Sequence, residues 1–169
     1  MITTVFLDVD NTLLDFDLCA RASLDRAFAD FGTKTPEGAF QVFKPINDAL
    51  WAKVDRREMT REELYRTRWD MMFLKLGIGI DGLAFEKRFR YWLDLSAQPV
   101  KYSMEMLRYL HGKYTLCAAS NAHRSQQEKR LTLAGMDRYL DHFFISETIG
   151  HDKPEKAFFD HCFKELGGV

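Results

Sequence analysis

Three short apolar runs punctuate a chain whose other hydrophobic residues recur mostly at helical spacing. Ile2 to Leu7 is apolar, β-branched at several positions, and stops abruptly at acids and an asparagine. Tyr114 to Ala119 and His142 to Ile145 are comparable. Runs this short and this apolar read as buried strands of a parallel sheet. Helical patterns alternate with them. Ser103 to His111 carries Met104, Leu107 and Leu110 at helical spacing. Arg124 to Leu133 is polar, with Leu131 and Leu133 expected to turn inward and Gly135 to stop the helix. Pro154 to Leu166 begins with a proline near a first turn and ends at Gly167-Gly168. This alternation predicts an α/β layer with parallel strands.

Leu14 to Gln98 is much longer than one crossover helix requires. Its pattern is nearly all helical: Leu18 to Phe31, Gly38 to Arg57, Arg61 to Leu76 and Leu83 to Leu95. Thr60 followed by Glu63 reads as a capping box, and Gly77, Gly79 and Gly82 punctuate the gap before the last helix. The organisation expected is therefore an α/β core from residues 1–14 and 99–169, with an all-helical subdomain inserted over residues 15–98. Phe28, Phe40, Phe43, Trp51, Trp69, Phe73 and Trp92 are rated mainly as core of that insert. Phe16, close after the first acids, is singled out as a candidate to stack on a base or sugar.

Composition narrows the class. The 169 residues are 46% hydrophobic, enough for a real core, and the formal net charge is −1. A nearly neutral chain has no generic attraction to nucleic acid polymers or anionic membranes. No stretch reads as a signal peptide or a membrane span. Cys19, Cys117 and Cys162 are odd in number and widely spaced, which disfavours a disulfide framework or zinc site and suits a reducing, cytoplasmic setting.

The chemistry concentrates at strand ends. Asp8 and Asp10 follow the first strand, and ligands of open α/β sheets bind at that edge. Two carboxylates this close repel one another unless a cation lies between them, and Mg²⁺ takes such oxygen ligands while keeping several waters. Ser120 and Asn121 follow the second strand. A hydroxyl with neighbouring backbone N–H groups can hold a phosphoryl oxygen. Lys153, before Pro154, follows the third strand and offers a fixed ammonium, which phosphoryl transfer can use. His123 reads as a solvent-exposed side chain.

Asp8-Val9-Asp10-Asn11-Thr12, then Ser120, then Lys153-Pro154 resemble the first three motifs of the haloacid dehalogenase-like hydrolase superfamily, with the insert matching its helical C1-type cap. The resemblance implies a Rossmann-like parallel core. It implies that Asp8 is the nucleophile forming an aspartyl-phosphate, that Asp10 is the general acid/base, and that Lys153 neutralises charge. Thr12 would orient the nucleophile, and Ser120 with Asn121 would bind the phosphoryl group. Mg²⁺ would sit on the Asp8 carboxylate and the Asp10 carbonyl. Covalent catalysis divides one hard displacement into two easier ones, and the acid must hold a proton when the leaving oxygen departs. An acid at position 10 also disfavours dehalogenation, whose leaving group needs no proton.

The superfamily's fourth motif, one or two acids after a further strand, is not found before Gly167-Gly168-Val169. Glu147 and Asp152 are not promoted in its place. The resemblance thus implies that C-terminal strands and further metal ligands lie outside these residues, that the Ile2–Leu7 strand has an unpaired edge, and that a chain shortened in this way binds metal weakly. Ile46–Trp51, Met59–Leu64 and Phe144–Gly150 resemble bacterial pyrimidine 5′-nucleotidases of house-cleaning type. The activity implied is hydrolysis of a small phosphomonoester, foremost a nucleoside 5′-monophosphate, by a monomer or homodimer. A phosphosugar phosphatase, a phosphomutase and an inactive fragment stay open beside it.

Overall fold

The computed structural model describes residues 2–168. The chain forms two compact units, Met1–Cys19 with Asp94–Val169, and Ala20–Leu93. Both joins fall inside the 15–98 insert read from the sequence, because the helices that carry the chain across them run through the joins.

The first unit is built on a parallel sheet of β1 (Thr4–Leu7), β2 (Thr115–Ser120) and β3 (His142–Ile145), in that order. Leu7 pairs with Ala118, and Ala118 pairs with Phe143. Successive side chains of a strand point to opposite faces, and both faces of β2 are apolar. Leu116 and Ala118 join Leu7, Leu107, Leu131 and Met136 on one side. Cys117 and Ala119 join Phe144, Phe158 and Cys162 on the other. Helices therefore cover both faces: α5 (Ser103–Leu110) and α6 (Arg124–Leu133) on the first, α8 (Lys156–Glu165) on the second. This is the parallel α/β layer expected from the runs of apolar residues, and the Rossmann-like core that the resemblance implies.

Two details differ from the pattern. Leu131 is fully buried, but Leu133 is 55% exposed. The inward side of α6 is instead completed by Gln126, Gln127 and Arg130. A short helix α7 (Ser146–Ile149) follows β3 directly; four residues are too few to leave a periodic signal.

The second unit holds most of α1 (Phe16–Asp30), with α2 (Ala39–Asp55), α3 (Arg61–Leu76) and nearly all of α4 (Gly82–Asp94). The capping box at Thr60 is formed: its hydroxyl accepts from Glu63 N–H, and Glu63 Oε2 accepts from Thr60 N–H at 2.8 Å. The core is aromatic. Trp69 stacks on Phe43 with centroids 5.0 Å apart and meets Phe85 and Phe89 at 4.8 Å each. Within it lies a buried ion pair. Arg68 donates to both oxygens of Glu86 and to Asn47 Oδ1, and Trp69 Nε1 also donates to Glu86. Burying charge is tolerable only when every such bond is made.

Candidate active site

Parallel pairing places the carboxyl ends of β1, β2 and β3 along one edge of the sheet. Asp8 is the first residue past β1, Ser120 is the last of β2, and Lys153 follows β3 and α7. The turn after β1 is tight. Leu13 and Leu14 N–H both donate to Val9 O at 2.9 Å, and Asn11 adopts a left-handed backbone with φ 61°. Asparagine tolerates that conformation, and here its side chain supports it by accepting Phe16 N–H at 3.0 Å. Val9, Leu13 and Leu14 are fully buried, so the turn is anchored while both aspartates emerge from it.

Lys153 Nζ donates to Asp8 Oδ1 at 2.7 Å and to Ala119 O at 2.7 Å. Val9 N–H also donates to Asp8 Oδ1, which leaves Asp8 Oδ2 without a hydrogen bond among the described residues. The Asp8 side chain is 49% exposed, so that free oxygen is open to a ligand.

Asn121 lies beside them in an unexpected role. Its Nδ2 donates to Lys153 O at 2.9 Å, and its Oδ1 accepts Lys153 N–H at 2.8 Å. The amide clamps the lysine's backbone and so holds Lys153. Thr12 also departs from expectation. It is exposed in the turn, and Val9 N–H and Lys153, not its hydroxyl, orient Asp8. Phe16 opens α1 half-buried.

Asp10 is held by two residues that no motif in the sequence marks. Arg130 Nη1 donates to Asp10 Oδ1 at 2.7 Å, and Gln127 Nε2 donates to Asp10 Oδ2 at 2.7 Å. The Arg130 side chain is 1% exposed. Burial disfavours its cation, but Asp10 and then Cys19 outweigh that penalty and raise its pKa above the ordinary arginine value. Gln127 and Arg130 sit three apart on a polar helix, and their burial was the missing signal. His123 corrects another expectation. It is half-buried, with Nδ1 2.7 Å from Glu147 Oε1, while Glu147 Oε2 accepts Arg124 N–H at 2.8 Å at the start of α6. Glu147 is thus occupied. No group of three or more His, Cys, Asp or Glu side chains is gathered for a metal among the described residues.

A half-exposed carboxylate under an ammonium, a second carboxylate two residues on and a buried hydroxyl on the neighbouring strand thus share one edge of the sheet. The haloacid dehalogenase-like hydrolase profile matches residues 2–169. The chain belongs to this family. It is 28% identical over 163 residues to YfnB of Bacillus subtilis, named as a HAD-hydrolase, covering 96% of this chain and 69% of YfnB. It is 28% identical over 165 residues to the pyrimidine 5′-nucleotidase PynA of Streptococcus pneumoniae, covering 97% and 70%. The pyrimidine 5′-nucleotidase YjjG of Escherichia coli is 26% identical over 163 residues, covering 96% and 71%. The crystal structure of YfnB, bound to magnesium, superposes with a TM-score of 0.90 over 97% of this chain and 72% of that one. L-2-haloacid dehalogenase from Xanthobacter autotrophicus shares the fold at 17% identity, TM-score 0.71, over 100% of this chain and 66% of that one. No helix among the described residues is long and apolar enough to cross a membrane.

Proposed function

We propose that this family member is a magnesium-dependent phosphatase of small phosphomonoesters, with pyrimidine nucleoside 5′-monophosphates as its preferred class. The observation that carries the reading is the Asp8–Lys153 contact at 2.7 Å, with Asp10 two residues on. The names of PynA and YjjG support the nucleotide substrate.

The chemistry follows from the residues. The free Asp8 Oδ2 attacks phosphorus in line with the ester oxygen. The P–O(ester) bond breaks as the Oδ2–P bond forms. Asp10 gives its proton to the departing alkoxide oxygen. Asp10 then takes a proton from water, whose oxygen attacks the aspartyl-phosphate and releases inorganic phosphate and Asp8. Lys153 neutralises Asp8 and the transferring group throughout, and the Ser120 hydroxyl holds an equatorial oxygen. An alkoxide leaving group needs the proton that Asp10 supplies, whereas a halide does not. An acid at this position therefore favours phosphate esters over haloacids.

The donor set fits Mg²⁺. The Asp8 carboxylate, with the Asp10 carbonyl beside it, matches an ion that binds through one or two carboxylates, substrate phosphate and water. Bound there, it would supply positive charge against the phosphate oxygens.

The test is a panel of phosphomonoesters on the full-length protein, with and without Mg²⁺. Hydrolysis of dUMP, UMP or dTMP in preference to sugar phosphates is expected, and Asp8→Asn is expected to abolish it. Equal rates on sugar phosphates would remove the nucleotide assignment. Turnover that survives Asp8→Asn would remove the nucleophile.

A further inference from the structure

Gln127 uses every polar group it has on the site. Its Nε2 donates to Asp10 Oδ2 at 2.7 Å and to Ser120 Oγ at 3.0 Å. Its Oε1 accepts from Arg130 Nη1 at 3.2 Å. The amide cannot be turned over: its carbonyl would then face the Asp10 carboxylate, and its NH₂ would face a guanidinium that only donates. Arg130 fixes that orientation while it binds Asp10 Oδ1 and, through Nε, Ser96 O at 3.1 Å. Gln127 is fully buried, so no solvent competes for these bonds.

The consequence for Ser120 is specific. Its Oγ accepts from Gln127 Nε2 at 3.0 Å and from Ala122 N–H at 3.2 Å. A hydroxyl has two acceptor sites and one donor. With both acceptor sites filled, its own hydrogen is left to donate. That is the polarity a phosphoryl oxygen requires.

We propose that Gln127 and Arg130 are positioning residues that tie Asp10 and Ser120 into one unit. Gln127 aims the Ser120 hydroxyl as a donor to phosphate and holds the Asp10 carboxylate where it meets the leaving oxygen; Arg130 locks Gln127. This rests on the phosphatase reading above. Neither residue touches the reacting atoms.

Leaving-group dependence tests it on the full-length protein. An alkyl phosphate such as a nucleoside 5′-monophosphate needs its leaving oxygen protonated, whereas p-nitrophenyl phosphate releases a phenolate that does not. Gln127→Leu is expected to lower kcat on the alkyl ester by about 10². The loss on p-nitrophenyl phosphate is expected to be at least tenfold smaller. Gln127→Leu is also expected to weaken binding of inorganic phosphate, measured by calorimetry, because Ser120 is no longer aimed. Should Gln127→Leu fail to fold by thermal melting, Arg130→Lys, which keeps the charge but cannot span Asp10, Gln127 and Ser96, should show the same leaving-group split. Equal losses on the two esters, or unchanged kcat on both, would overturn the proposal and leave the phosphatase reading standing. A wild-type protein that hydrolyses neither ester would overturn both.

Discussion

Lys153 Nζ rests 2.7 Å from Asp8 Oδ1, although 145 residues separate them in the chain. The contact exists because β1 and β2 are parallel neighbours and Asn121, just past β2, grips the Lys153 backbone at both its N–H and its C=O. Lys153→Met should therefore lower kcat/KM for a phosphomonoester by about 10²–10³, the range for losing one fixed donor at a charge-developing centre. Asn121→Ala leaves the ammonium in place but frees the loop. Its loss should be smaller, and steady-state kinetics of the two variants side by side checks the order.

The buried pair Arg68–Glu86 makes a prediction about stability. Both side chains are about 5% exposed or less. Glu86→Leu leaves Arg68 charged in an aromatic core and removes the acceptor of Trp69 Nε1. Urea unfolding should show a loss of about 3–5 kcal/mol. Arg68→Met combined with Glu86→Leu removes both charges and should recover most of it. A double variant as unstable as the single one would show that lost packing, not the orphaned charge, sets the cost.

The capping box titrates. Hydrogen bonds from the Thr60 backbone and then its hydroxyl hold Glu63 below the ordinary carboxylate range. A depressed folded pKa adds stability above the unfolded value, near 4.5, and that stability is lost as pH falls through the folded value. The Tm difference between wild type and Glu63→Ala should be present at pH 7 and vanish in acid. A difference independent of pH would mean that the carboxylate is not what caps α3.

All three cysteines are buried, and none is in a disulfide. Burial, then the Asp141 charge and Cys162, push the Cys117 thiol up to about 11. Burial, then the Glu165 charge, outweigh a backbone hydrogen bond and push Cys162 up to about 11. Unfolded thiols ionise near 9.0. The fold therefore keeps this contribution below pH 9 and loses it as pH rises through 11. The native protein should resist iodoacetamide at pH 8 and label in urea, and Cys117→Ala should flatten the alkaline fall in Tm.

Much of the site was legible because its signals are local. Asp8 and Asp10 follow an apolar run directly, and a run that short between turn residues is a strand by length alone. Ser120 could be placed for the same reason, whereas Lys153 lies past α7 and was placed by the resemblance of Lys153-Pro154. Leu133 and Thr12 are exposed against their local pattern because the face a residue shows depends on what packs against it. Helix α6 has no clear apolar stripe to point its inward side, so its polar residues looked like a solvated surface.

The sequence by itself determined the strands, the longer helices, the capping box at Thr60 and the order of charged groups at the sheet edge. Each is set by neighbours a few residues apart, through backbone sterics and hydrophobic period. Only the tertiary structure decided that Asp10 is held by Gln127 and Arg130, 117 and 120 residues away. A buried polar side chain takes its partner from whatever the fold brings within about 3 Å, and no spacing along the chain encodes that choice.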